Sequence, residues 1–383
     1  MNRELDLKMQ NGRHFCIDYE YLKQYEEEVL TFLDDNGYMQ TLNFAKKVLF
    51  NEEIKFNNSI EGINDGIEFV DNVINQVDNN RCELEKKRII NLYKGYKYVL
   101  ENKEINKENL KELYEILSDE LIDYGDKIRM GEYYRNGSVN ILRGGHLVSP
   151  YMGINLSDKN NPYLGVNFEK IDELMNLFFD YVNSDSGEVS IFVKSQIMHF
   201  YFVYIHPYFD VNGRTSRTVS MWFLLNNHVY PYIIFNRAIA FSEKTYSENI
   251  IKGKVSGNIT LFLKYMLLSV LKALEREYLI SNIGANITKE EAQILECFLS
   301  LKGELTVKDL AIVYNNYNNV KKIKEVYFNK VLPLIHKGVL LDLGKTKSYI
   351  ANDIHNIRLA INAKNVLIDT NKVKHLSLNR YVK

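Results

Sequence analysis

The stretch His206-Pro-Tyr-Phe-Asp-Val-Asn-Gly-Arg-Thr-Ser-Arg217 decides how this chain is read. Val189–Ile205 runs into it, apolar nearly all round and interrupted only by polar residues such as Lys194, Gln196 and His199. That is the pattern of a helix buried in a core. Its longest apolar run, Phe200–Ile205, falls far short of the ~20 residues a membrane span needs. The helix is expected to stop at His206, because the residue before a proline avoids the α region. Five loop residues follow. Asn212 is a good N-cap for a second helix through Arg214, Arg217 and Trp222 towards Asn226.

The chemistry follows from that turn. A helix N-terminus offers unpaired N–H groups and a positive dipole end, which suit an anion. Gly213 lets a phosphate approach the backbone closely. Arg214 and Arg217 are three apart and can share one face, and their forks suit phosphate oxygens. Asp210 is a hard oxygen ligand beside that site, of the kind a phosphate-bound Mg²⁺ takes. His206, at the negative end of a helix, is placed to accept a proton. A base, a metal ligand and a phosphate cradle within twelve residues point to activation of a hydroxyl against a nucleotide phosphate.

Outward from this segment the chain reads as helical. Tyr21–Asp34, Leu42–Ser59, Gly66–Gln76, Glu85–Glu101, Lys107–Leu121, Lys170–Val182 and Asn258–Leu279 are long, Pro-free and amphipathic. Residues 131–152 change character: Gly131, Gly137, Gly144, Gly145 and Pro150 punctuate Val139, Ile141 and Leu147, the pattern of a β-hairpin or flap. Ile283-Gly-Ala-Asn286 is the expected domain boundary. Beyond it Thr288-Lys-Glu-Glu291 opens a helix, Thr306-Val-Lys-Asp309 a second, and a third runs from about Val320 to Lys337 with Pro333 as a flaw. Gly338–Ile350 reads as two strands around a Gly344-Lys345 turn. Three helices and a hairpin resemble a winged helix-turn-helix.

The central string resembles the signature of the Fic family, His-Pro-Phe-x-Asp/Glu-Gly-Asn-Gly-Arg-x-x-Arg. His206, Pro207, Asp210, Asn212, Gly213, Arg214 and Arg217 match it. Tyr208 stands for Phe, and Val211 for a Gly whose backbone φ would then be strained if positive. The resemblance implies an all-α, Fic-like helical core with a β-hairpin flap, which usually transfers AMP from ATP, with Mg²⁺, to a Ser, Thr or Tyr hydroxyl of a protein. It implies His206 as general base and Asp210 as the Mg²⁺ ligand. Asn212, Gly213 and Arg214 would hold the α- and β-phosphates, and Arg217 the γ-phosphate. Gly213 looks like the AMP-transferring branch. Asn57-Asn-Ser-Ile-Glu61-Gly62 resembles the family's inhibitory helix motif, with Asn57 where Ser or Thr is usual. A Glu61 carboxylate reaching Arg217 would occupy the γ-phosphate position. The flap resembles the family's target-docking hairpin, with Ile141, Gly145 and His146 as nucleotide or target contacts. Tyr246 falls roughly where the family places an aromatic near the base. His199 reads as a core histidine.

The expected organisation is an N-terminal helical region at 1–100 carrying the inhibitory helix at about 42–62, and a Fic core at 101–283. A winged-helix-like domain at 286–350 and a basic tail at 351–383 follow. The 383 residues carry a net charge of −1, unevenly divided. Asn286–Lys383 holds 16 basic against 9 acidic residues, a net of +7, which leaves −8 for the rest. A DNA or protein partner is therefore an expectation for the last quarter alone. Cys16, Cys82 and Cys297 read as reduced thiols, and with no apolar N-terminal segment a cytoplasmic setting is expected. A protein target on the flap is the main expected partner; a homodimer is left open, and no membrane is expected. Two other functions stand beside adenylyl transfer: a DNA-binding regulator using the core as sensor or scaffold, and a hydrolase that removes AMP.

Overall fold

The computed structural model describes residues 2–35, 51–63, 67–75, 84–139, 163–185, 187, 189–227, 235–240, 242–281, 291, 294–295, 305–315, 323–345 and 354–362. It is mostly helical and divides into two compact units, Met1–Val270 and Leu271–Lys383. The division falls inside one helix, Thr260–Ser281, ahead of the Ile283–Asn286 stretch. Among the described residues no helix is long and apolar enough to cross a membrane.

The first unit opens on an antiparallel hairpin of β1 (Arg3–Lys8) and β2 (His14–Ile17). Leu5, Leu7, Phe15 and Ile17 alternate inward. Gly12, at φ 85, turns the chain between them. Helices follow as α1 (Tyr19–Asp35), α2 (51–60), α3 (Ile67–Asn75), α4 (Leu84–Glu101) and α5 (Lys107–Ser118). After the 140–162 stretch come α6 (Ile171–Asn183), α7 (Ile191–Ile205), α8 (Asn212–Asn226), α9 (Phe235–Ala240), α10 (Glu243–Ser256) and α11 (Thr260–Ser281).

The apolar helix foreseen before His206 is α7, and every residue from Phe192 to Ile205 is buried. Ser190 caps it, accepting from the Val193 N–H at 3.1 Å. Helices α6, α8 and α10 and the N-terminal hairpin surround it. Phe15 meets Phe200, Tyr201 and Tyr204 edge-on with centroids 4.9–5.9 Å apart. Wrapping α7 on all sides fixes the position of its C-terminal end, where His206 sits.

The expected elements beyond the core fare differently. Residues 131–139 contain no strand, and Ile141, Gly145 and His146 lie outside the described residues. In the second unit Thr306 and Asp309 form a capping box: the Asp309 N–H donates to Thr306 Oγ1 at 3.2 Å and the Thr306 N–H to Asp309 Oδ2 at 3.1 Å. The helix Val307–Asn315 follows. The flaw foreseen at Pro333 is real. A π-type turn, Tyr327–Val331, precedes it and absorbs the missing N–H. The expected hairpin around Gly344-Lys345 is corrected. That pair lies at the end of one strand, Leu340–Lys345, beside a register shift. Its partner is Ile357–Ile361, beyond residue 350, which also pairs with Leu305–Thr306. Four of the partner's five residues are buried.

Helix α10 crosses α7 closely because Gly253 has no side chain. A Cβ there would lie 2.7 and 2.8 Å from two ring atoms of Phe200, and that ring is wedged between Phe15 and Phe262. Gly253→Ala gains about 1 kcal/mol of helix propensity. Overpacking against a ring that cannot yield costs ~1–3 kcal/mol and outweighs it. We expect a lower thermal midpoint by circular dichroism; an unchanged or raised midpoint would show that α10 can retreat freely.

Candidate active site

Helix α7 ends at Ile205, and His206 turns away in the left-handed region, at φ 54 and ψ 62. The proline does exclude the α region, but the escape is left-handed rather than extended. Val211, at φ 65 and ψ 8, is the second left-handed residue of the turn and takes the N-cap position. Asn212, foreseen as the cap, is the first helical residue instead. Its side chain braces the loop: Oδ1 accepts from the Tyr208 N–H at 2.9 Å and Nδ2 donates to the Tyr208 carbonyl at 2.8 Å. Asp210 stays exposed, with Oδ1 accepting from the Val211 N–H at 2.6 Å.

His206 is partly buried. Its Nδ1 faces the Val203 carbonyl at 3.4 Å, which assigns the proton to Nδ1 and leaves Nε2 as the basic atom. Burial, then the charges of Lys254 and Arg135, hold its ring down to about 3. The imidazole is therefore neutral near pH 7. Burial also pushes Lys254 down, to about 7.

The first i→i−4 bond of α8 runs from the Thr215 N–H to the Val211 carbonyl, so the N–H groups of Asn212, Gly213 and Arg214 have no intrahelical partner. Arg214 is 7% exposed, and its Nε and Nη1 find no hydrogen-bond partner among the described residues. Burial lowers its proton affinity, against the charges of Glu61 and Asp210.

The site is completed by α2, which lies far away in sequence. It closes with the Gly62 N–H donating to the Ser59 carbonyl and the Ile63 N–H to the Asn58 carbonyl. Gly62 supplies the left-handed residue at φ 84, and Glu61 becomes the last side chain before the turn. Arg217, 5% exposed, donates through Nη2 to Glu61 Oε1 at 2.5 Å. It also donates through Nε to Asn57 Oδ1 at 2.9 Å and through Nη2 to the Asn57 carbonyl at 3.3 Å. Asn57 donates in turn to the Tyr96 hydroxyl at 3.0 Å. A Cβ at residue 213 would lie 2.5 Å from Glu61 Oε1 and 3.1 Å from Arg217 Nη1. The carboxylate thus rests on the bare backbone at the start of α8.

Burial raises the Glu61 carboxyl, but Arg217, Arg214 and Arg88 together outweigh it and hold the group below its ordinary value. The ion pair is therefore present at neutral pH and lost as pH falls through that depressed value. Tyr246, expected near the base, is buried against His199, its hydroxyl 2.6 Å from Nε2, within the field of Arg217. The buried Glu53 precedes Asn57 and Glu61 at i, i+4, i+8 spacing, and of the three it is the one that the sequence reading did not single out. Burial holds the Glu53 carboxyl well above the usual range, against Asn236 and Arg237.

With this geometry the comparisons agree. Residues 104–224 match the sequence profile of the Fic/DOC family. The chain carries a Fic/DOC family domain. In fold it is similar to a Fic family protein from Desulfovibrio desulfuricans, at TM-score 0.54 and 19% identity over 89% of this chain and 95% of that one. It is also similar to a Fic domain containing signaling protein from Bacteroides thetaiotaomicron (TM-score 0.46, 16% identity, 65% and 96%). A third similar structure is Fic-1 from C. elegans (0.45, 15%, 66% and 71%). No curated protein matches the sequence significantly.

The residues of the Fic domain fit a bound polyphosphate: a guanidinium with two nitrogens unpartnered among the described residues, helix N–H groups without an intrahelical partner and a cradle that a Cβ would fill. Among the described residues no group of three or more His, Cys, Asp or Glu could hold a metal ion by itself. The exposed Asp210 suits an ion that is shared with phosphate and takes one carboxylate.

The Fic domain houses Tyr208, its aromatic plug, at 0% exposure, stacked on Tyr114 with centroids 3.7 Å apart. The hydroxyl finds no hydrogen-bond partner among the described residues. Removing a buried, unpaired hydroxyl relieves a penalty of ~1–3 kcal/mol. Tyr208→Phe should therefore raise the unfolding midpoint in chemical denaturation. A drop would show that the hydroxyl is satisfied.

Proposed function

We propose that this chain is a protein adenylyltransferase held at rest by Glu61. The observation that carries the reading is the Glu61 carboxylate seated on the Gly213 cradle and clasped by Arg217, where an anionic phosphate would otherwise bind. His206 supports it too, with a neutral ring and a free Nε2 at the adjacent helix end.

In this reading ATP lays its phosphates along the start of α8. The backbone of Gly213 and the fork of Arg214 take the α- and β-phosphates, and Arg217 takes the γ-phosphate once Glu61 leaves. Asp210 would hold the Mg²⁺ that neutralises phosphate charge. A target hydroxyl approaches His206, and Nε2 accepts its proton as the oxygen attacks the α-phosphorus. The new P–O bond forms AMP-protein, and the bond to the β-phosphate bridging oxygen breaks to release pyrophosphate. The target's extended segment would lie on the flap by strand addition.

The test is transfer of label from α-labelled ATP in Mg²⁺ buffer, to the chain itself and to lysate proteins. Glu61→Gly should label well above wild type, and Arg217→Ala in that background should cancel the gain. His206→Ala in the same background should lose ~10²–10⁴-fold in rate while still binding ATP. Equal labelling of wild type and a folded, ATP-bound Glu61→Gly would refute the restraint. Transfer surviving His206→Ala would refute the base.

A further inference from the structure

His206 is gripped from outside its own motif. A non-glycine residue adopts the left-handed region reluctantly, and a helix-end carbonyl has no partner in the helix. Arg135 answers both demands. Its Nε donates to the His206 carbonyl at 2.8 Å, and its own N–H donates to the Pro207 carbonyl at 2.9 Å. Two successive peptide groups of the catalytic turn are thus fixed by one residue.

The rest of the guanidinium reaches the other way. Nη1 donates to the Gly137 carbonyl at 2.5 Å and Nη2 to the Val166 carbonyl at 2.6 Å. These carbonyls flank the chain on either side of 140–162. The Gly165 N–H donates to the Val139 carbonyl at 3.1 Å, and Lys254 Nζ to the Leu164 carbonyl at 3.2 Å. The fit is close, since a Cβ at residue 165 would lie 2.6 Å from Arg135 Nη2. Arg135 is 3% exposed, and its side-chain hydrogen bonds all go to main-chain carbonyls. A buried cation without an anion is costly, and a neutral side chain could fill the same space. The multi-pronged fork gives the site what such a side chain would not.

We propose that Arg135 is the positioning residue of His206, its fork locking the His206–Pro207 turn to the main chain at Gly137 and Val166. The claim rests on His206 being the base. Its consequence is that the ring is aimed by the two stretches that lead into and out of 140–162, through the Gly137 and Val166 carbonyls.

Two readouts separate this from a merely structural role. The charged groups facing His206 are Arg135 and Lys254 of α10, with the Val203 carbonyl of α7 on Nδ1. In full-length, ATP-free protein, NMR of the His206 ring should show its titration midpoint rising in Arg135→Met, because one cation is gone. Arg135→Lys should restore the midpoint, because the charge returns. In a Glu61→Gly background with ATP, Arg135→Lys should still lose about 10²-fold in kcat, with KM for ATP unchanged, because one ammonium cannot hold three carbonyls. If Arg135→Met does not fold, Gly165→Ala replaces it; it displaces Nη2 while keeping the charge and should lower kcat alone. A kcat within about twofold of the parent in Arg135→Lys and Gly165→Ala would overturn the proposal. So would an unmoved His206 midpoint in folded Arg135→Met. If Glu61→Gly transfers nothing, the ring titration still decides the Arg135 claim, apart from the adenylyl transfer reading.

Discussion

Arg217 places a positive charge, 5% exposed, inside a helical core, and that charge must be matched. Leaving a buried ion unpaired costs several kcal/mol, more than most single contacts contribute. Two features of the site follow from this. Helix α2 closes beside it with Glu61 supplying the anion, and Asn57, one turn earlier, accepts from Nε and Nη2. Behind the arginine, His199 is kept neutral by burial and by that same charge, and bonds to Tyr246. On the proposed reading, a γ-phosphate and Glu61 are alternative answers to one electrostatic demand. Glu61 keeps 37% of its side-chain surface in solvent, so its half of the clasp is the exchangeable half.

The turn from His206 to Val211 solves a second constraint, that of bringing a helix end and a helix start together in six residues. Two left-handed residues, His206 and Val211, make the two corners. Asn212 closes the space between them by bonding both main-chain groups of Tyr208. Neither corner is a glycine, so the turn depends on its surroundings to hold its shape. α7 is packed on all sides, and Arg135 grips the carbonyls at the first corner.

Much of this was legible in the sequence because the deciding residues are local. The apolar run before His206, the proline after it and the Asn-Gly-Arg-x-x-Arg string specify two helices and an anion site without long-range information. The Glu61–Arg217 pair spans 156 residues and entered through a motif resemblance, not through periodicity. Other features went unread for identifiable reasons. The N-terminal hairpin has clear alternation at Leu5, Leu7, Phe15 and Ile17 and an Asn11-Gly12 turn, but its strands are only six and four residues long. Glu53 is polar on a face that is buried, which a polar-out, apolar-in reading assigns to solvent. Arg135 falls inside the 131–152 stretch, whose pattern reads only as a flap. A lone arginine carries no periodic signal, and its carbonyl partners are invisible before the chain is folded.

Val211 shows how a departure from a family pattern can be absorbed. A left-handed β-branched residue costs ~1–2 kcal/mol. Its side chain, however, is 2% exposed, and full burial of a valine is worth roughly 1.5–3 kcal/mol. A glycine would relieve the strain but would give up that burial and add ~0.5–1 kcal/mol of backbone entropy. The balance favours valine, so the turn keeps a left-handed corner without the residue that usually makes one. The N–H of this same residue donates to Asp210 Oδ1 at 2.6 Å. The strained corner thus sets the direction of the carboxylate, and the substitution leaves His206, Asp210 and the start of α8 together around one turn.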